Sequence, residues 1–404
     1  MLTRMLGSVI TKGRLTVIDP QGRSHHIGND DGTQPIVMRV RSRRAWMRLA
    51  LNPYAYAGEA YMDSDLIIEQ GTLAEWMALC YENFEVASQR GASAMRWVRR
   101  LTRPITQHNP IGLARRHVAH HYDLSDALFD LFLDKDRQYS CAYFESPNNS
   151  LEQAQDAKKR HIAAKLLLEP GMKVLDIGSG WGGLALYLAK VANVDVTGVT
   201  LSVKQQQVAE RRAREAGLAD RVRFHLRDYR EEPGRYDRIV SVGMFEHVGA
   251  KHFGEFFNKV RELLVEDGVA LLHSIGRFDG PGATNTWLRK YIFPGGYTPA
   301  LSEVAAAVEP TGLLMTDVEI LRLHYVETLK EWQRRFQLNR DRVRGMYDER
   351  FCRMWEFYLA GCEMAFRFGN QMVFQMQLSR KLGTVPMTRD YIGHWEDAHA
   401  MNPA

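Results

Sequence analysis

The run Asp176-Ile177-Gly178-Ser179-Gly180-Trp181-Gly182-Gly183 combines residue types able to hold a small polar ligand at a sharp backbone corner. Glycines allow positive φ and let a ligand approach the main chain. A helix starting beyond them offers unpaired N–H groups that favour a negative group. The corner is therefore expected to bind a nucleotide or nucleoside. A phosphate-cradling P-loop would need a Gly-Lys-Ser/Thr ending, and no lysine follows. Gly178, Gly180 and Gly183 do satisfy the Gly-x-Gly-x-x-Gly spacing of dinucleotide folds. Three other places carry chemistry-bearing side chains. Glu246-His247 could be an acid–base pair or a salt-bridged turn. His273, in the apolar run Val269–Ile275, has the setting of a core histidine. Cys141 has no base partner by spacing, so covalent cysteine catalysis is not expected.

Asp176 directly precedes the first glycine, and this distinguishes the ligands. Asp-x-Gly-x-Gly resembles the turn of methyltransferases that use S-adenosylmethionine, a ligand with an amino-acid tail and no pyrophosphate. S-adenosylmethionine is the expected cofactor.

The elements that must position these groups follow from period and punctuation. Val174–Ile177 is a β-branched and leucine run typical of a buried parallel strand, and Leu184–Val191 has the pattern of a helix. Strands are predicted at 172–177, 194–199, 221–226, 237–242 and 268–275, with helices near 182–191, 202–217 and 251–264. Strands alternating with helices of this length predict an α/β fold with a doubly wound, Rossmann-like sheet. A long helical stretch over 324–368 and a last alternating strand, Val373–Leu378, are helical and strand additions. The first hundred residues differ in rhythm. Arg14–Ile18 and Ile36–Val40 have strand patterns around an Asp19-Pro20-Gln21-Gly22 turn, and 71–101 has helical spacing. A smaller N-terminal α+β domain is expected over 1–108, with the cofactor-binding domain over 109–404 and a linker at Arg103–Pro110. Arg277–Ala300, rich in glycine and bearing Trp287, Tyr291, Ile292 and Phe293, is too long for a turn and is expected to cover the site.

The chain has 404 residues, 45% hydrophobic and 25% charged, enough for two domains. No apolar run approaches the roughly 20 residues that span a bilayer, and Met1–Ile10 lacks the features of a signal peptide. Its four cysteines have no CxxC spacing, so no metal site is expected and a reducing, cytoplasmic setting is. Residues 1–120 hold 16 Lys+Arg against 10 Asp+Glu, so the whole net charge of +5 arises there. Arg39, Arg41, Arg43, Arg44 and Arg48 form one crowd; Arg90, Arg96, Arg99, Arg100 and Arg103, interleaved with Trp97 and Leu101, form another. A solvated face, nucleic acid or anionic lipid would each accommodate clustered Arg. The interleaved apolar residues favour an anionic bilayer surface, and no nucleic-acid partner is expected.

Seven segments then occur in order: His121-Tyr122-Asp123-Leu124-Ser125, Tyr139-Ser140-Cys141-Ala142-Tyr143-Phe144, the glycine corner, Gly243-Met244-Phe245-Glu246-His247-Val248-Gly249, Leu272-His273-Ser274-Ile275-Gly276, Tyr291-Ile292-Phe293-Pro294-Gly295-Gly296 and His324-Tyr325-Val326-Glu327-Thr328-Leu329. Together they resemble the cyclopropane-fatty-acyl-phospholipid synthases and their relatives, the mycolic acid cyclopropane synthases, over about 115–395. The resemblance implies methylene transfer from S-adenosylmethionine to a cis double bond of an unsaturated phospholipid acyl chain. A carbocation would form and close to a cyclopropane ring on deprotonation by bound bicarbonate. The alternative, a methyl-branched product, differs only in where the proton leaves. It also implies a protein peripherally associated with the inner face of the cell membrane; a homodimer is compatible with it.

The resemblance also assigns residues. Glu246 would accept the hydroxyl hydrogen bond of bicarbonate, His273 and Tyr325 would be side-chain donors to it, and Cys141 and Ile275 would give backbone contacts. Tyr139 and Ser140 would grip the methionine tail, Gly178 and Gly180 would meet the cofactor with their backbone, Thr200 and Gln205 would lie by the ribose, and Asp228 and Tyr229 by the adenine. Tyr122, Phe144 and Trp181 would face the cation with their rings. The chain departs from many relatives in having Ser179 where they have Cys. Its second strand ends in Thr200-Leu201-Ser202, without the ribose-binding acid of other methyltransferases, as in the lipid enzymes.

Overall fold

A computed structural model describes residues 2–29, 32, 34–91 and 125–400. The chain forms two compact units, Met1–Thr102 with Ala283–Pro294 and Leu329–Gln371, and Arg103–Gly282 with Gly295–Thr328 and Met372–Ala404. The division is thus interleaved, where the sequence suggested one cut near 108.

In the first unit β1 (Arg14–Ile18), β2 (Ser24–Gly28), β3 (Ile36–Val40) and β4 (Leu66–Gln70) form a sheet in the order β2-β1-β3-β4. β1 pairs antiparallel with β2 through the turn at Asp19–Gly22, and parallel with β3. Leu15, Val17, Met38 and Val40 form a core with Trp76 and Met77 of the helix Leu73–Gly91. Ala360 and Met364, from the helix Glu349–Arg367, join the same core. That shared burial is why this distant segment belongs to the unit. Trp287, in the stretch expected to be a cover, packs on Phe357 with ring centroids 4.8 Å apart.

In the second unit β5 (Lys173–Ile177), β6 (Asp195–Thr200), β7 (Val222–Leu226), β8 (Tyr236–Val242), β9 (Leu264–Arg277), β10 (Leu314–Ile320) and β11 (Gln371–Ser379) form a seven-stranded sheet in the order β10-β11-β9-β8-β5-β6-β7. β5 runs parallel to both β6 and β8, and β10 pairs antiparallel with β11. The Rossmann-like fold and the five predicted strands are present, with ends shifted by a few residues. Strand order reverses at β5, so the carboxyl ends of β5 and β8 open the crevice where such folds bind ligands.

Both faces of this sheet are covered, which explains the continuous apolar runs. Leu175, Ile239 and Leu272 join one cluster with Phe253, Phe256 and Phe257 of the helix Phe253–Leu263. Their neighbours Val174, Val240 and Leu271 join another with Ile162 and Leu166 of the helix Leu151–Leu166. The latter helix starts at a capping box of Ser150 and Gln153. The predicted helical stretch 324–368 is three helices, His324–Leu338, Arg340–Met346 and Glu349–Arg367. No described helix is long and apolar enough to cross a membrane.

Candidate active site

At the end of β5 the chain turns with Gly178 at φ +84° and Gly180 at φ +53°. The amides of Gly178 and Ser179 donate to the Val199 carbonyl at 2.9 and 3.1 Å, which folds the turn against β6. A Cβ on Gly178 would lie 2.7 Å from that of Met244, whereas one on Gly180 would meet nothing within 4 Å. The first glycine makes room for the neighbouring turn and the second stands beside open space.

That space is a cavity partly open to solvent. Asp176, Gly178 and Gly180 line it from the β5 corner, and Thr200 and Gln205 from beyond β6. Asp228 and Tyr229 line it from beyond β7, and Tyr139 and Ser140 from the segment before the helix Leu151–Leu166. All nine residues expected at the cofactor therefore meet in one place. Trp181, expected to face substrate, lines the same cavity. Its indole N–H donates to Asp126 at 3.2 Å and its ring packs 5.1 Å from Phe129.

Two polar atoms here are buried with no hydrogen-bond partner among the described residues, Asp176 Oδ2 and Ser179 Oγ. Burial raises the Asp176 carboxyl to about 7, against the pull of Lys158. Thr200 Oγ1 donates to Gln205 Oε1 at 3.1 Å. The guanidinium of Arg230 clamps both oxygens of Asp228 at 2.8 and 2.7 Å.

The acid–base candidates lie one strand over. β8 ends in a short turn, Phe245–His247, that carries Glu246. Glu246 Oε1 accepts from the Ile275 amide at 2.6 Å, while Oε2 is buried with no hydrogen-bond partner among the described residues. Burial pushes this carboxyl up to about 7, opposed by the Ile275 hydrogen bond. The backbone of Ile275, expected to contact a bound ion, gives its N–H to Glu246. His273, buried on β9, pairs its Nδ1 with Gln375 Nε2 at 3.2 Å. Burial first, then the charges of Lys158, Lys165 and His161, hold this imidazole well below its usual range, so it is neutral. Its carbonyl accepts from Gly243, a cavity residue, at 3.0 Å.

Cys141 is buried, and burial pushes its thiol well above the ordinary range, consistent with a positional role. The next amide, Ala142, donates to Thr328 Oγ1 at 3.0 Å, and the Phe144 amide donates to His324 Nδ1 at 3.0 Å. These bonds tie the 141–144 segment to the helix turn that carries buried Tyr325. Phe144 is half-buried, and Tyr122 lies outside the described residues.

Sequence reasoning missed Lys158. Its ammonium is buried on the helix Leu151–Leu166 and donates to Gln138 Oε1 at 2.6 Å and Ser140 Oγ at 2.8 Å, both in cavity residues. Burial lowers it to about 8, with Asp134 opposing. Gln155, one turn earlier, donates to the carbonyls of Gln138 and Ser140 at 3.2 and 3.0 Å. The signal available was Gln155, Lys158 and Lys165, polar residues on one stripe with Ile162, where a core-facing helix is usually apolar.

Residues 112–376 match the family described as mycolic acid cyclopropane synthetase. A probable fatty acid methyltransferase of Pseudomonas putida is 42% identical over 260 residues, covering 62% of this chain and 66% of that protein. The cyclopropane-fatty-acyl-phospholipid synthase of Escherichia coli K12 is 44% identical over 260 residues, 64% of this chain and 66% of that one. The match thus spans just under two thirds of these relatives. Among solved structures, mycolic acid cyclopropane synthase CmaA1 complexed with SAH and CTAB is similar at TM-score 0.63 and 33% identity, covering 67% of this chain and 99% of that one.

Proposed function

This chain belongs to the mycolic acid cyclopropane synthetase family, and we propose on that footing that it is a methyltransferase converting a cis double bond of a phospholipid acyl chain to a cyclopropane. Similarity to a probable fatty acid methyltransferase and to a cyclopropane-fatty-acyl-phospholipid synthase supports the substrate class. The observation that carries the reading is Glu246, a buried carboxylate with one oxygen held by a backbone amide and the other unpartnered among the described residues.

The residues fit both groups that the reaction requires. Asp176 Oδ2 and Ser179 Oγ are unsatisfied acceptors suited to the ammonium of the S-adenosylmethionine tail. Glu246 Oε2 is an unsatisfied acceptor suited to the hydroxyl of bicarbonate. When bound, S-adenosylmethionine supplies an electrophilic methyl group and bicarbonate a small base. Glu246 orients that base by accepting from it, and its negative charge disfavours further ionisation nearby, which raises basicity. Ile275 holds Glu246 in place, and neutral His273 and Tyr325 act as donors. A cation on the acyl chain would be trapped by water, so the pocket must stay dry. The aromatic rings of Trp181 and Phe144 suit it.

Incubation with labelled S-adenosylmethionine and cis-unsaturated phospholipid vesicles, followed by mass spectrometry, tests the reading. The expected product has gained one CH₂ and lost its alkene. A methyl-branched product would move the proton-loss step, and absence of label in lipid would overturn the activity.

Docking on an anionic bilayer, at the cytoplasmic face, is the second part of the proposal. Arg43, Arg44, Met47, Leu51 and Tyr54 are exposed on and just after the helix Arg43–Leu51. Arg39 is paired with Glu69, and the second Arg crowd falls outside the described side chains. Arg near an anionic surface contributes about 1 kcal/mol each. Vesicle binding indifferent to salt and to anionic lipid would rule this docking out.

A further inference from the structure

Lys165, Gln375 and His273 form a buried line, with relative exposures of 0, 0 and 2%. Lys165 Nζ lies 2.8 Å from Gln375 Oε1, and Gln375 Nε2 lies 3.2 Å from His273 Nδ1. Glu319 anchors the same ammonium, with Asp317 at 3.7 Å. We propose that Lys165, acting through Gln375, fixes the His273 tautomer with its proton on Nε2, and that both are positioning residues for the base site.

The argument rests on which groups can donate. An ammonium has three donors and no acceptor, so the Gln375 atom that faces it is the amide oxygen. The planar amide then presents its NH₂ to His273. An amide nitrogen donates only, so Nδ1 must accept and cannot carry hydrogen. In a neutral imidazole the remaining proton is on Nε2. Burial and nearby positive charge keep the ring neutral. All three side chains are buried away from bulk water. The result is a histidine able to donate from Nε2 at every pH near neutrality, as a donor to an anionic base must.

This inference rests on the reading of His273 as such a donor, yet its test does not depend on turnover. Full-length protein labelled with ¹⁵N-histidine would be examined by long-range ¹H–¹⁵N correlation, with His273 assigned by the signals lost in His273→Gln. The expected wild-type spectrum shows Nε2 protonated and Nδ1 as an unprotonated acceptor, unchanged between pH 6 and 8. An Nδ1–H signal in the wild type would overturn the proposal, even in a preparation without transferase activity. Gln375→Glu keeps the shape and replaces the donor facing Nδ1 by a carboxylate oxygen, so Nδ1 is expected to acquire a proton. An Nδ1 that stayed unprotonated there would show that Gln375 does not set the tautomer. Gln375→Leu is expected to lower kcat about tenfold with KM for S-adenosylmethionine unchanged, the loss of one hydrogen bond to a charged group. Retention of full kcat would remove Gln375 from the machinery. The wild-type spectrum decides the tautomer whether or not either variant folds.

Discussion

Consecutive side chains of β11 enter opposite faces of the seven-stranded sheet, and both faces are dry. Phe374, Met376 and Leu378 pack in the cluster that holds Leu272, Phe253 and Phe257. Gln375, Gln377 and Ser379 are equally buried. Lys165 meets two of them, through its ammonium at 2.8 Å from Gln375 Oε1 and its carbonyl at 2.6 Å from Gln377 Nε2. On the apolar face attraction is non-directional, so side chains of equal volume substitute for one another. On the polar face each group answers one partner, and deletion strands a buried donor or charge. An apolar filling of the same volume would be as stable or more so. The polar face beside His273 is therefore where a demand of chemistry, apart from folding, is expected.

The largest expected effect is at the end of that polar face. Glu246→Gln should reduce turnover by about 10²–10⁴-fold, the range of positioned acid–base groups, while the chain remains folded. Stability should respond in the opposite sense. Because burial raises Glu246 from 4.5 to about 7, the native state binds the proton more tightly than the unfolded chain in that window. Wild-type stability from this group is greatest below 4.5 and declines as pH rises towards about 7. Urea unfolding at pH 5 and pH 8 should show Glu246→Gln gaining on the wild type at the higher pH. An equal difference at both values would mean that Glu246 is not the buried titrating carboxyl.

Next in size is Lys165→Met, expected to cost about 1–3 kcal/mol in urea unfolding, because Gln375 Oε1 loses its buried donor while Glu319 keeps His161. A cost below about 1 kcal/mol would place the polar face on the same footing as the apolar one. Lys158→Met probes the cofactor side of the same helix. It removes the donor to Gln138 and Ser140, and calorimetry with S-adenosylhomocysteine should show affinity falling about 10–100-fold. Unchanged affinity would confine Lys158 to a structural role.

The two faces also differ in how far they could be read from the chain. β5, β8 and β9 are legible because strands buried on both sides are largely apolar runs, β7 by its alternating Val222 and Phe224, and the glycine corner because its geometry is local. β10 escaped, since Thr316, Asp317 and Glu319 break up a half-exposed edge strand. The helical stretch 324–368 concealed two breaks, at Asn339 and at Tyr347–Asp348, where Asp348 caps the last helix by accepting from Phe351 N at 2.7 Å. Asp156-Ala157-Lys158-Lys159-Arg160 looks like a solvated helix face in isolation. Only partners outside the helix, Gln138 and Ser140 for Lys158, Asp136 for Lys159 and Glu145 for Arg160, make it an interior one. Resemblance placed Glu246 and His273 at the site, but it could not supply Gln375, whose role depends on contact across two strands and a helix.

The smallest expected effect is the one on which the comparison turns. Met376 is fully buried between Gln375 and Gln377, one residue from each, but on the apolar face. Met376→Leu conserves volume and removes no polar partner, so it should cost less than about 1.5 kcal/mol and leave kcat within about twofold of the wild type. If it did not, backbone placement of β11 would be what both faces report, and the losses in Lys165→Met would no longer identify a polar network. If it does, position along the strand and depth of burial are held constant while only chemistry changes. The sensitivity of the opposite face then belongs to its hydrogen bonds.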